Sequence, residues 1–128
     1  MRWTAYEGSE FAIEWFFDEK GYSQPLEYFL GQPEQMQRKL LNLLRLMGDQ
    51  GKIFDKTKFR NEGDGIYTFK PQPDRYLCFF CKGKKVIVTN AFMKKNQKLP
   101  QAEKEQALKA CRSYEKRAGE GVYYEEKS

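Results

Sequence analysis

Residues 10–17 read Glu-Phe-Ala-Ile-Glu-Trp-Phe-Phe, an aromatic and β-rich run that predicts a first strand. Residues 21–25 form a turn, and residues 25–30 fit a short helical turn ended by Gly31. Pro33 then opens the clearest helix in the chain. Met36, Leu40, Leu43, Leu44 and Met47 recur at the spacing of one apolar stripe, and Leu41 and Leu46 widen it into a well-buried face. Gly48 and Gly51 are expected to end this helix. Residues 52–65 are polar and read as loop, with Asn61, Gly63, Asp64 and Gly65 marking turns. Three strands are expected next, at 66–70, 75–82 and 85–94. Their connections, Pro71-Gln72-Pro73-Asp74 and a turn at Gly83, are short enough to require antiparallel hairpins. Pro100 suits the first position of a last helix running to about residue 117, with Ala107, Ala110, Cys111, Tyr114 and Ala118 as its inward stripe. Gly119 and Gly121 close it and leave a tail. Strand, helices, three-strand meander and helix make an α+β fold: a small antiparallel sheet of about four strands with helices packed against it. At 128 residues the chain is read as one domain, residues 1–128, without internal repeats.

Composition narrows the chemistry. Hydrophobic residues make up 40% and aromatics 16%, enough for a packed core. No apolar run reaches the roughly 18 residues of a membrane span, and the N-terminal residues lack a secretory apolar segment. The three cysteines are an odd number and too few for a disulfide scaffold. The Cys78-Phe79-Phe80-Cys81 run lacks a second pair, and a strand would aim its two thiols to opposite faces, so packed thiols are expected rather than a metal site. These features predict a cytoplasmic protein with neither metal nor small-molecule cofactor. The absence of histidine excludes Ser-His-Asp and Cys-His catalysis and the usual acid–base relay.

Charge is distributed unevenly. The net charge is +5, but residues 1–31 carry −4, residues 32–65 carry +2, residues 66–98 carry +7 and residues 99–128 carry 0. Positive charge concentrated on the meander points to a polyanion such as nucleic acid. The competing reading is a solvated sheet edge guarded by lysines. Within the meander, a turn over residues 71–74 sets Lys70 opposite Arg75. Like charges facing each other across strands are destabilising unless an anion or solvent intervenes. Lys94, Lys95 and Lys98 follow on the next strand and its exit. Lys98 precedes the last helix, whose N-terminus adds unpaired N–H groups and a positive dipole end. Together these groups describe a phosphate cradle.

The segments Asp64-Gly65-Ile66-Tyr67-Thr68-Phe69-Lys70, Arg75-Tyr76-Leu77-Cys78-Phe79-Phe80 and Ala91-Phe92-Met93-Lys94-Lys95-Asn96-Gln97-Lys98-Leu99-Pro100 resemble the RelE/HigB toxins of type II toxin–antitoxin systems, in particular their phage-derived branch. The resemblance spans about residues 11–117 and leaves 119–128 as a tail. It implies a RelE-like fold and mRNA cleavage, typically in the ribosomal A site, restrained by a cognate antitoxin. By position it carries the family's basic strand residue to Lys70, its strand arginine to Arg75 and its lysine cluster to Lys94, Lys95 and Lys98. Where this chain has Thr68-Phe69-Lys70, the family more often has Glu-Leu-Arg.

Cleavage of RNA by its own 2′-OH needs a proton acceptor, stabilisation of the phosphorane and a proton donor for the leaving oxygen. Without histidine, these roles fall to Lys, Tyr, carboxylates or water. Lys70, crowded by Arg75, is the first candidate for a lysine of lowered pKa, and Arg75 for phosphorane stabilisation. Lys94 is grouped with them as catalytic, while Lys94 or Lys95 and Lys98 would hold flanking phosphates. Tyr114, Tyr123 or Tyr124 would stack on a base or donate a proton, Tyr114 fitting the core better. The expected partners are mRNA and an antitoxin protein. The alternative is a non-enzymatic superfamily member that binds a protein such as DNA gyrase, as the ParE toxins do, or simply binds nucleic acid. A phage protein that has lost its toxicity is a third reading.

Overall fold

The computed structural model describes residues 2–125; of the expected tail, residues 126–128 lie outside the described part. The chain forms β1 (Thr4–Glu7), β2 (Ala12–Trp15), α1 (Gln24–Leu30), α2 (Glu34–Gln50), β3 (Phe59–Gly63), β4 (Ile66–Phe69), β5 (Asp74–Cys81), β6 (Lys85–Met93) and α3 (Gln101–Gly119). The fold is α+β, with three helices on a six-stranded sheet ordered β1-β2-β6-β5-β4-β3.

The sheet is larger than the expected four strands, and it is mixed. The meander β3–β6 is antiparallel throughout, but β2 runs parallel to β6, pairing Ala12 with Lys85 and Trp15 with Val88. Parallel pairing requires a long crossover, which the whole segment from α1 to β5 provides. The two strands added to the expectation are both edges. In β3, only Phe59 is buried and the rest is Arg-Asn-Glu-Gly, so its composition matches a loop. The short β1 has no buried residue. An edge strand presents one side to water and needs no apolar run.

Strand alternation divides the side chains between two faces. One face carries Phe69, Tyr76, Cys78, Val86 and Val88, on which α2 lays Leu40, Leu43, Leu44 and Met47. Trp15 and Phe29 of α1 meet here with ring centroids 5.3 Å apart. The other face carries Leu77, Phe79 and Ile87 beneath α3, with Ala107, Ala110 and Tyr114 turned inward. The sheet is therefore covered by helices on both sides.

Gly48 does not end its helix. It lies within α2, and Gly51 is the left-handed cap, with φ 78° and its N–H bonded to the Met47 carbonyl. Gly48 is small because the Tyr6 ring stands 2.7 Å from where its Cβ would be, and Gly8 is small because a Cβ on it would collide with the Gly48 backbone. The Gly48 carbonyl accepts the N–H groups of Glu10 (2.7 Å) and Phe11 (2.9 Å). Among the described residues, no helix is long and apolar enough to cross a membrane.

Candidate functional site

Helix α3 covers only part of its face. It reaches Asn90, whose Nδ2 donates to the Glu103 carbonyl at 3.1 Å. Beyond that point, toward the ends of β4 and β6 and the start of β5, the face is open and forms a cleft of about 440 Å³. Arg60 and Glu62 of β3, Thr68 of β4, Lys70, Arg75 of β5, and Phe92 of β6 form its floor and sides. The segment 94–100 forms its rim, with Lys94, Asn96, Lys98 and Pro100 facing in.

Register explains the clustering. Phe69 pairs with Tyr76, and one further step in the same register places Lys70 against Arg75. Both alternate onto the face of Thr68 and Leu77. The Lys70 N–H is bonded outward to the Lys58 carbonyl (2.8 Å), and Nζ donates to the Lys56 carbonyl at 3.1 Å. Partial burial pushes the Lys70 ammonium below the ordinary lysine range, and the neighbouring Arg75, then Arg60 and Lys94, push the same way; Glu62 opposes them.

Arg75 is buried, with its guanidinium anchored to the Asp74 carbonyl (2.9 Å) and to Gln72 Oε1 (3.1 Å). Burial lowers its pKa, opposed by Glu62 and Asp74, yet a guanidinium stays charged. Among the described residues it has no carboxylate within ion-pair distance, so its charge remains available to an anion. Asp74 points to the opposite face, where it accepts the Tyr28 hydroxyl at 2.7 Å. The N-terminal strand residue is thereby clamped to α1, which fixes the start of β5.

Sequence reasoning missed Glu62 and Arg60, because residues 52–65 read as loop. Glu62 is the one carboxylate lining the cleft among the described residues. It accepts the Thr68 hydroxyl at 2.7 Å and lies 4.0 Å from Arg60 Nε. The available signal was the dyad Phe59-Arg60 followed two residues on by Glu62, an alternation too short to distinguish from a turn. The hairpin that carries Glu62 is tied to α3 by an ion pair, Lys104 Nζ to Asp64 Oδ2 at 2.8 Å. Opposite, the N-terminus of α3 opens at Pro100 with no side-chain cap, leaving early N–H groups and the positive end of a 19-residue helix at the rim.

The structure brings Lys70, Arg75, Lys94 and Lys98 to this one cleft. Lys95 is exposed and does not line it. Tyr123 and Tyr124 lie toward the other end of β6, beside Lys85, roughly 25–30 Å away along the strand. The ring of Tyr123 is buried, its hydroxyl accepting the Phe17 N–H at 3.0 Å. The Tyr124 hydroxyl donates to Glu14 (2.7 Å), accepts from Lys85 Nζ (2.9 Å) and contacts the Tyr114 hydroxyl at 2.6 Å. These tyrosines pin the segment after α3 to β2, which is why they are aromatic and hydroxylated. Burial holds the Cys78 thiol up, and no cluster of metal-ligating side chains occurs among the described residues.

No curated protein matches the chain. A protein-family model described as "Phage derived protein Gp49-like" (DUF891) matches residues 27–112, from α1 into α3, and so includes every cleft residue named above. That match covers well over half of the chain, and the whole cleft falls within it: the chain belongs to the Gp49-like phage-derived family, part of the RelE/ParE-like toxin superfamily.

Proposed function

We propose that the chain is a toxin of the RelE/HigB kind, an endoribonuclease that cleaves mRNA in the ribosomal A site and is held inactive by a cognate antitoxin in the cytoplasm. The observation that carries this reading is the convergence of Lys70, Arg75 and Lys94 on one cleft beside a helix N-terminus. Five basic side chains against one carboxylate suit a phosphodiester, whose charge increases in the transition state.

The chemistry follows from the positions. Neutral Lys70 takes the proton of the ribose 2′-OH, and the oxygen attacks the adjacent phosphorus. The dianionic phosphorane is held by the Arg75 guanidinium and the Lys94 ammonium. The bond to the 5′ oxygen then breaks, that oxygen taking a proton from Lys94 or from water. The products are a 2′,3′-cyclic phosphate and a 5′-hydroxyl. Lys98, the α3 N-terminus and Lys95 on the rim's outer side hold flanking phosphates. Lys70 suits the base role because its partial burial, and then the charges of Arg75, Arg60 and Lys94, favour its neutral form.

The test is mRNA cleavage by purified Lys70→Ala and Arg75→Ala, with and without ribosomes, alongside growth arrest on induction. Each variant is expected to lose about 10²–10³-fold in rate, with the far-UV spectrum and the unfolding midpoint showing that it is folded. Full activity in both variants overturns the reading. RNA binding by the unaltered protein without any cleavage assigns it to the non-enzymatic alternative.

A further inference from the structure

On the sheet face opposite the cleft, the 51–56 loop and the outer strands enclose an open groove of about 820 Å³. Its floor is aromatic. Phe59 and Tyr67 are stacked with centroids 5.5 Å apart and planes 7° apart, and Phe80 meets Tyr67 edge-on at 5.1 Å. At the rim Phe54 is 81% exposed, the most exposed large apolar side chain among the described residues. Lys52 Nζ lies 5.1 Å from its ring centre. The charged side chains that line the groove are Lys52, Lys56 and Arg60, and no carboxylate joins them.

Two observations bear on what occupies the groove. An exposed ring among cations, here Phe54 beside Lys52, Lys56 and Arg60, is the lining that single-stranded nucleic acid uses, bases on rings and phosphates on cations. Arg60 also lines the catalytic cleft, and it stands on β3, an edge strand with nothing paired beyond it. Groove and cleft therefore meet around that edge. A chain leaving the cleft passes Arg60, with Glu62 beside it as the one carboxylate on the cleft side, and enters a groove that no carboxylate lines.

We propose that the groove is a second RNA subsite. It takes unpaired bases of the same strand whose scissile phosphate occupies the cleft, with Phe54 as the stacking ring and Lys52, Lys56 and Arg60 on the backbone phosphates. The inference rests on the RNA-cleavage reading, and it adds an extended footprint to it. The toxin recognises single-stranded RNA on both sheet faces, gripping the strand around the β3 edge.

The test measures binding by fluorescence anisotropy with labelled 2′-O-methyl oligoribonucleotides, which lack the nucleophile. One strand is long enough to reach both sites and one fills the cleft alone. Phe54→Ala is expected to weaken the long strand by about 5- to 150-fold, the effect of one stacked base, and Phe54→Trp to restore it. The short strand responds to Arg75→Ala and not to Phe54→Ala. Equal binding of the long strand by Phe54→Ala and the unaltered protein overturns the subsite and leaves the cleavage reading standing. Full cleavage by Lys70→Ala and Arg75→Ala, with the Phe54 effect intact, removes the catalytic reading and keeps the groove as a nucleic-acid site. If Phe54→Ala loses only antitoxin binding, the groove belongs to a protein and the proposal fails.

Discussion

Lys70 sits among competing charges. Arg75, Arg60 and Lys94 favour its neutral form, whereas Glu62 favours the ammonium. Glu62→Gln removes the one opposing charge, so the Lys70 pKa falls further. If Lys70 is the base, the rising limb of the cleavage pH–rate profile moves to lower pH in Glu62→Gln, and the plateau rate stays within a few-fold. In Arg60→Ala the sign reverses: one cation fewer raises the Lys70 pKa and moves that limb to higher pH. A plateau reduced by about 10²-fold or more in Glu62→Gln, with the limb unmoved, would instead make the carboxylate the base. The cations Lys70 and Arg75 were readable from sequence because a four-residue turn sets their register. Glu62 was not, since its place in the cleft depends on β3 pairing with β4, and nothing local in Phe-Arg-Asn-Glu-Gly demands a strand.

The elements place these side chains and depend on two close contacts far from the cleft. The first is the crossing of the 8–11 turn over α2, where Gly8 and Gly48 touch backbone to backbone. Gly8→Ala forces them apart and is expected to cost about 1–3 kcal/mol, read as a lower denaturant midpoint. The second joins the segment after α3 to Phe17, just beyond β2, through the hydroxyl of Tyr123. Tyr123→Phe leaves the buried Phe17 N–H without its acceptor and is expected to cost about 1–3 kcal/mol in chemical denaturation, with the affinity for RNA unchanged. Weakened RNA binding at unaltered stability would return Tyr123 to the RNA-binding set. Helix α2 was legible because its stripe is long and regular. The end of α2 was less so, because Gly48 reads as a stop until its packing partners are known.

At the scale of the molecule, the positive excess of residues 66–98 is divided by the fold. Lys70, Arg75, Lys94 and Lys98 gather at one end of the sheet, while Lys85 is drawn to Glu14 and Tyr124 at the other. Affinity for a single strand should therefore fall with salt, each neutralised phosphate contributing about 0.7 to the slope of log K against log salt. Lys98→Ala is expected to reduce that slope by about 0.7. Lys95→Ala, on the rim's outer side, is expected to reduce it by a smaller amount; an unchanged slope would remove Lys95 from the RNA backbone.

The amino-acid sequence by itself determined the α+β class, the buried α2 stripe, the hairpin register that opposes Lys70 and Arg75, and the concentration of charge on the meander. Each depends on neighbours within a few residues, where periodicity and turn length act directly. The tertiary structure alone decided that β2 runs parallel to β6, that β1 and β3 are strands, that Glu62 and Arg60 enter the cleft, and that the tyrosines after α3 are held in the core. Those outcomes depend on pairings between residues far apart in the chain, made by backbone hydrogen bonds that carry almost no side-chain signature.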